Sequence, residues 1–429
     1  MDWKIKPSKS IRGEITVPPD KSISHRSIIF GAVSSGDLRI RNFLTGEDCI
    51  RTLEAFRSLG AEIIMEENAV LIRGKGLKGL SAPSGPVYLG NSGTSMRIMS
   101  GILAGQDFMT VLTGDESLSK RPMRRVIEPL ALMGARVKPL EGGDHAPLSI
   151  RGREERLLPI DYNLPVASAQ VKSCVLAAGL YADGTTVVRE PFQSRDHTER
   201  MLGYFSADIR KKRLTTEITG LRELIPRDID VPGDISSAAF FIVAALLVKG
   251  SNIVLRRVGL NNTRTGVVDV LKRMGGNIDI LDPGHGFEPS GDMKVGYSKL
   301  RGTVINAREI PLLIDEIPVV AVAAAAAEGQ TVINGIGELK VKETDRVESM
   351  ARNLSNMGAG IEAVRDSLVI HGGVKRFKAA VLESFGDHRT AMCMAVASLL
   401  SDGECVIRDT ACVDTSYPGF LEDLRNAAY

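Results

Sequence analysis

The chain has almost no excess of charge: 54 Lys and Arg stand against 52 Asp and Glu, a net charge of +2, with the two signs interspersed throughout. That balance does not suggest a polyanion partner, so basic residues carry information only where they gather locally. Aromatics are few, 5% of residues with a single Trp. No clustered basic stretch carries interleaved aromatics, which argues against a repeat-built nucleic-acid scaffold that stacks bases. No apolar run is long enough for a membrane. The longest, near Ala238 to Val248 and Pro318 to Ala327, reach about half a span and read as buried helices. The first residues, MDWKIKPSKS, carry Asp2 and no apolar stretch, so they do not read as a secretory signal. The five cysteines (Cys49, Cys174, Cys393, Cys405, Cys412) are scattered, with no CxxC pair and no nearby His cluster. Reduced thiols, a cytoplasmic location and no structural metal are the expectation.

What is present is an ordinary globular balance, 43% apolar and 25% charged, which does not indicate disorder. At 429 residues the chain is too long for one hydrophobic core, and two domains of roughly 200 residues each are expected. A phrase recurs along it: SLGAEI at Gly60, LMGARV at Gly134, YFSADI at Ser206, RMGGNI at Gly275 and NMGAGI at Gly358. In each copy the Gly, or Ser206 in its place, sits where a helix C-terminus needs a residue tolerant of positive φ, and strand-forming residues follow. Several copies then show a short strand closed by Gly (VLIRG, LSIRG, TEITG, LVIHGG), so a helix running into a β-hairpin is expected.

Upstream of each such helix lies another that is rich in small residues and has a polar start: DKSISHRSIIFGAV, GNSGTSMRIMSGILAG, ASAQVKSCVLAAGL, GDISSAAFFIVAALL, DEIPVVAVAAAAA and GDHRTAMCMAVASLL. Apolar nearly all round after the first turn, these six should be buried at the centres of their domains. The sixth repeat stops at Tyr429 without a hairpin, while WKIKPSKSIRGEITVP reads as an orphan hairpin ahead of the first. The N-terminus is therefore expected to complete the C-terminal domain. One domain would run over residues 18–230, and the other would combine 1–17 with 231–429.

If the buried helices run parallel, their polar starts crowd together, and unpaired N–H groups at the positive helix ends make such a place an anion site. The residues at those starts are Lys21, Ser22 and Arg26 in the first; Gly93, flanked by Asn91, Ser92 and Thr94, in the second; and Ser168 and Gln170 in the third. Asp315 and Glu316 stand at the fifth and Arg389, beside His388, at the sixth. A lysine point charge beside the planar fork of arginine suits phosphate and carboxylate. The second start lacks the GxxxxGK[ST] spacing of a nucleotide P-loop. Of Lys120, Arg121, Arg124 and Arg125 in LSKRPMRR, one is expected to reach inward and the rest to face solvent. Arg195, in SRDHTER, reads either as a ligand group or as half of a surface ion pair with Asp196 or Glu199. Asp315 and Glu316 read either as a helix cap or as catalytic carboxylates. In KVKETDR, Lys342 and Arg346 at i and i+4 are expected on one helix face with Glu343 beside them, a cation pair that an anion between them would relieve.

Taken together, DKSISHR, GNSGTSMR, KRP, ASAQ, SRDHTE, LIDEIP, KVKETDR, GDHR and SYPGF resemble the 5-enolpyruvylshikimate-3-phosphate synthase family over the whole chain. The resemblance implies an α/β fold of two domains, each made of three βαβαββ repeats around a central helix bundle, an inverse α/β barrel-like prism, with the active site in the cleft between them. It implies transfer of the enolpyruvyl group of phosphoenolpyruvate to the 5-hydroxyl of shikimate 3-phosphate, without a cofactor or metal, by a monomer. Carried over by motif, Lys21, Ser22, Arg26, Ser168, Gln170, Arg195, Asp315 and Lys342 would hold shikimate 3-phosphate. Lys21, Gly93, Arg121, Gln170, Arg346 and Arg389 would hold phosphoenolpyruvate, with Asp315, Glu343 and Lys21 catalytic. The chain departs from the better-known pattern at Ala169, where a second serine often stands, at Glu338 for an asparagine, and at Thr415 for a lysine. The last departure leaves open which cation assists phosphate departure. Resistant relatives carry alanine at the position of Gly93, so weak to moderate glyphosate sensitivity is expected. The related transferase acting on a UDP-amino sugar would carry a reactive cysteine near the second repeat, where this chain has LSKRPMRR.

Overall fold

The computed structural model of the chain describes residues 1–152, 155–284 and 286–429. The chain forms two compact domains: a continuous one, Pro19–Val231, and a split one that joins Met1–Pro18 to Pro232–Tyr429.

The continuous domain holds three repeats. Each begins with a central helix: Lys21–Ala32, Gly93–Ala104 or Ala169–Gly179. After the first turn these helices bury nearly every residue, as their all-round apolar sequences require. Each leads through a strand and an outer helix (Glu47–Ser58, Arg124–Leu132, His197–Tyr204) to a hairpin. The outer helices are amphipathic. Glu47–Ser58, for example, buries Cys49, Leu53 and Phe56 and leaves Glu54 exposed. The three resulting sheets share one strand order: a short parallel strand, the strand after the central helix, then the second and first hairpin strands.

Outer helices end where the repeated phrase places them. Gly60, Gly134, Gly275 and Gly358 have φ between +84° and +96°, and Ser206 takes the same role at +65°. A Cβ in that conformation is strained, so Ser206 is the one costly ending among the five. Glycine has a second use at Gly101, where an added Cβ would lie 2.2 Å from the carbonyl oxygen of Cys174. The second and third central helices therefore pack at nearly backbone distance.

The split domain repeats the plan with helices Ile235–Leu247, Ile317–Ala326 and His388–Ser398. Ile235–Leu247 is buried on all its residues. The N-terminal residues do not form the hairpin expected of them. Trp3–Ile5 pairs antiparallel with Cys405–Arg408, in the place a hairpin strand holds in other repeats. Arg12–Ile15 instead lies parallel to Asn252–Gly259 in a different sheet. Between them the chain contains Pro7 and is held by the C-terminus: Ser8 N–H donates to the Leu399 carbonyl at 3.0 Å, and Ser10 N–H to that of Tyr429 at 3.1 Å. Trp3 stacks on Phe420 at 5.8 Å, and Phe240, Phe241 and Tyr417 close the cluster, so both chain ends are fastened to one buried helix.

The strands at the two crossings are exchanged. Arg12–Ile15 precedes the first central helix in sequence but completes the fourth repeat, while Ile229–Asp230 precedes the fourth central helix but completes the first, pairing parallel with Ser35–Arg41. Among the described helices none is long and apolar enough to cross a membrane.

Two stability changes follow from the glycine geometry. Ser206→Gly should raise stability by about 1 kcal/mol by relieving the left-handed Cβ. Gly101→Ala should lower it by about 1–3 kcal/mol through overpacking. Opposite shifts of the urea midpoint are expected, and unchanged midpoints would contradict both.

Candidate active site

In the continuous domain the three central helices start side by side. Gln170 Nε2 donates to Thr94 Oγ1 at 3.0 Å, joining the third start to the second. Arg26 Nη2 donates to Ser173 Oγ at 2.9 Å, joining the first helix to the third. Side chains cap all three: Asp20 accepts from the Ile23 N–H, Ser92 from Ser95 and Ser168 from Val171. Lys21, half-buried in the first turn, lies 3.1 Å from Asp48 Oδ2, and Ser22 is half-buried beside it. Arg26 is buried and spends Nε on Thr198 Oγ1 at 2.8 Å and Nη1 on the Ser22 carbonyl at 3.0 Å.

Gly93 opens the second helix beneath two guanidinium groups. A Cβ there would meet Arg97 Nη1 at 2.7 Å and Arg121 Nη1 at 3.1 Å. Arg121 is the inward member of LSKRPMRR: it is 7% exposed and donates to the Asn91 carbonyl at 3.2 Å and to Asn91 Oδ1. Lys120 and Arg124 are turned out onto Glu116 and Glu128. Arg97 donates to Gln170 Oε1 at 2.7 Å. Arg195 is half-buried just ahead of the outer helix His197–Tyr204.

His25, in the same layer, is enclosed. Burial, then the charges of Lys21 and Arg26, hold its imidazole well below the usual histidine range, so it is neutral near pH 7. It touches Thr52 Oγ1 at 2.7 Å, which continues through Ser95 to Ser92 and ties the first two helix starts together.

The split domain gathers carboxylates at the equivalent place. Arg346 is fully buried, with Nε 2.8 Å from Asp387 Oδ2, Nη1 3.0 Å from Asp315 Oδ1 and Nη2 2.5 Å from Glu343 Oε2. Burial alone would weaken its charge, but the three carboxylates outweigh it and hold the guanidinium above its ordinary range. Arg389 donates to the Asp315 carbonyl at 3.1 Å and lies 3.9 Å from Glu316 Oε1. Ser236, at the fourth helix start, donates its hydroxyl to Glu316 and accepts from Arg264 Nη2 at 2.8 Å. All three starts of this domain are thereby connected.

One local expectation is corrected. Lys342 and Arg346 do not share a helix face: Asp345 accepts from the Val347 and Glu348 N–H groups at 3.0 Å and starts the helix at Arg346. Lys342 and Glu343 lie in the preceding turn, both half-buried. For Asp315 and Glu316 the sequence leaves both readings open: Glu316 stands at the N-cap position of Ile317–Ala326 but makes no side-chain cap bond, and the two carboxylates face arginine or hydroxyl groups.

Of the residues singled out in the sequence, Lys21, Ser22, Arg26, Gly93, Arg121, Ser168 and Gln170 are gathered at helix starts of the continuous domain, with Arg195 on the segment before its outer helix. Asp315, Glu343, Arg346 and Arg389 are gathered in the split domain, with Lys342 in the turn beside them. Sequence reasoning missed Asp48, Arg97 and the role of Asp387. Arg97 stands one turn after Gly93, a spacing that could have marked it. Asp387 is both the cap of its helix and a partner of Arg346. Thr415 closes a short 3₁₀ turn, its hydroxyl on the Cys412 carbonyl at 2.7 Å.

The pattern of the family described as EPSP synthase (3-phosphoshikimate 1-carboxyvinyltransferase) matches residues 5–424. A protein of Geobacter sp. (strain M21) named 3-phosphoshikimate 1-carboxyvinyltransferase is 51% identical over 421 residues, 98% of this chain and 97% of that one. The solved EPSP synthase of Acinetobacter baumannii superposes with a TM-score of 0.88 at 45% identity, covering 100% of this chain and 98% of that one. The enolpyruvyl transferase NikO of Streptomyces tendae shares the fold at 18% identity, with a TM-score of 0.78 over 99% of this chain and 96% of its own. With this much of its length matched at about half identity, the chain belongs to the EPSP synthase family.

Proposed function

We propose that this chain is a 3-phosphoshikimate 1-carboxyvinyltransferase, which joins the enolpyruvyl group of phosphoenolpyruvate to the 5-hydroxyl of shikimate 3-phosphate and releases inorganic phosphate. The observation that carries the reading is the pair of carboxylates, Asp315 and Glu343, held 3.0 and 2.5 Å from one buried guanidinium in a chain of this family. The reaction moves two protons, and two fixed carboxylates suit that work.

Ser22, Arg26, Ser168, Gln170 and Arg195 bind shikimate 3-phosphate, with Lys21 and Lys342 as further cations. Gly93, Arg121, Gln170 and Lys21 receive the phosphate of phosphoenolpyruvate. Bare of a side chain, Gly93 leaves the space in front of Arg97 and Arg121 to the ligand. Arg389 and Arg346 take its carboxylate. Three of the five guanidinium N–H groups of Arg346 are engaged by carboxylates, and one on each Nη remains for the substrate.

Asp315 takes the proton of the 5-hydroxyl as its oxygen attacks C2 of phosphoenolpyruvate, while Glu343, with Lys21, delivers a proton to the methylene carbon. The tetrahedral intermediate then loses a methyl proton and expels phosphate. Thr415 is uncharged, so Lys21, Arg121 and Arg97 are the cations at hand to assist departure. The enzyme acts as a monomer, and a cytoplasmic location is in keeping with five cysteines that form no disulfide.

Phosphate release that requires both phosphoenolpyruvate and shikimate 3-phosphate tests the assignment. Turnover with UDP-N-acetylglucosamine in place of shikimate 3-phosphate would overturn it. Glu343→Gln and Lys21→Ala should each lower kcat by about 10²–10⁴-fold with circular dichroism unchanged. Gly93→Ala forces the tips of Arg97 and Arg121 to move, so KM for phosphoenolpyruvate should rise about tenfold and glyphosate inhibition should weaken in the same variant. Wild-type activity indifferent to millimolar glyphosate would contradict the open space assigned at Gly93.

A further inference from the structure

Lys172 takes no part in the chemistry above, yet its side chain is wholly enclosed in the continuous domain. It lies one turn after Ser168, whose carbonyl accepts its backbone N–H at 3.0 Å. The ammonium sits 2.8 Å from Glu190 Oε2 and 2.7 Å from Glu199 Oε1. Both glutamates are themselves buried. Glu190 ends the run out of the strand Thr185–Arg189 and accepts from the Ser194 N–H at 3.2 Å and from its hydroxyl. Glu199 lies in the first turn of the helix His197–Tyr204. Between the two runs the segment that carries Arg195, so a single ammonium grips it at both ends.

The neighbours of this clamp lead to a second ligand group. Ser173, next to Lys172, and Thr198, next to Glu199, share a hydrogen bond of 2.6 Å, and both accept from Arg26. Asp196 is held by Arg200 at 2.9 Å and Lys211 at 3.3 Å, and Lys211 also lies 3.6 Å from Glu199 Oε1 at the far end of the clamp. Burial works against the ammonium of Lys172, but Glu199 and Glu190 outweigh it and hold its pKa above the ordinary lysine range. A buried ion pair of this kind is weak evidence for stability, since an apolar set of the same volume often serves as well. Its geometric effect is specific: it fixes where the segment starts and where it ends.

We propose that Lys172 is a positioning residue that holds the segment from Glu190 to Glu199, and with it Arg195, in register for the phosphorylated cyclic acceptor. The inference rests on the assignment of Arg26, Ser168 and Arg195 to shikimate 3-phosphate.

Steady-state kinetics on the full chain separates the two substrates. Glu190→Gln leaves Lys172 its ion pair with Glu199 and strands no buried charge without a partner, so it is the variant that should fold. Its KM for shikimate 3-phosphate should rise about tenfold, while KM for phosphoenolpyruvate and kcat stay within about twofold. Lys172→Met should move the same constant further in the same direction. If Lys172→Met does not fold, Glu190→Gln decides alone. In an Arg195→Ala background Glu190→Gln should add little, because the group it positions is gone. Equal movement of both KM values, a lowered melting temperature with no change in KM, or full additivity with Arg195→Ala would overturn the clamp. A wild-type chain inactive on shikimate 3-phosphate would overturn the functional assignment as well, whereas an active wild type with unaltered variants sinks the clamp alone.

Discussion

Three buried helices that begin together impose the constraint on which the site depends. Each start presents unpaired N–H groups and the positive end of a helix dipole, and bringing three of them together raises the local potential. The two domains answer it differently. The continuous domain caps its second and third helices with Ser92 and Ser168, which are neutral, and adds Lys21, Arg26, Arg97 and Arg121. The split domain places Asp234 and Asp387 as caps and adds Asp315, Glu316 and Glu343. One fold plan therefore yields a cluster suited to incoming anions and another suited to proton transfer. The division of labour lies in the caps and first turns, while the apolar bodies of the helices are interchangeable in kind.

Those apolar bodies explain why so much of the fold was legible. A helix such as ISSAAFFIVAALL has no solvent face, and only a central position satisfies it. The repeated phrase at Gly60, Gly134, Ser206, Gly275 and Gly358 reported a backbone conformation, and all five residues adopt positive φ. Pairing was less legible than the elements. Trp3–Ile5 and Arg12–Ile15 read as a hairpin because they are adjacent strands, yet they enter separate sheets, a choice made by Leu399, Phe420 and Tyr429 far along the chain.

The site shows the same limit at closer range. Helix periodicity put Lys342 and Arg346 on one face, but Asp345 starts the helix one residue before Arg346, and periodicity does not extend through a cap. An acidic pair ahead of an apolar run reads equally as a cap or as catalytic groups, and what decides for Asp315 and Glu316 is Arg346, Arg389 and Ser236, partners that lie 30 or more residues away or 80 residues upstream. The residues proposed to contact substrate belong to local strings and stand out. Residues that pack behind them, such as Asp48 and Lys172, are ordinary in sequence and acquire meaning only from what they touch.

In each domain a wholly enclosed cation stands among several carboxylates close to the helix starts: Lys172 with two, Arg346 with three. The choice of cation is consistent with the task. The planar fork of Arg346 addresses its carboxylates in fixed directions and keeps N–H groups on the same plane, so the group that orders Asp315 and Glu343 can also meet a ligand. The ammonium of Lys172 has no fork and no ligand to meet. As a compact charge with three donors it suits holding two chain segments together from within. Neither arrangement is explained by stability, because desolvating that many charges costs about as much as their attraction returns. Position explains both, since in each case the carboxylates come from separate segments of the chain, Glu190 and Glu199 in one and Asp315, Glu343 and Asp387 in the other.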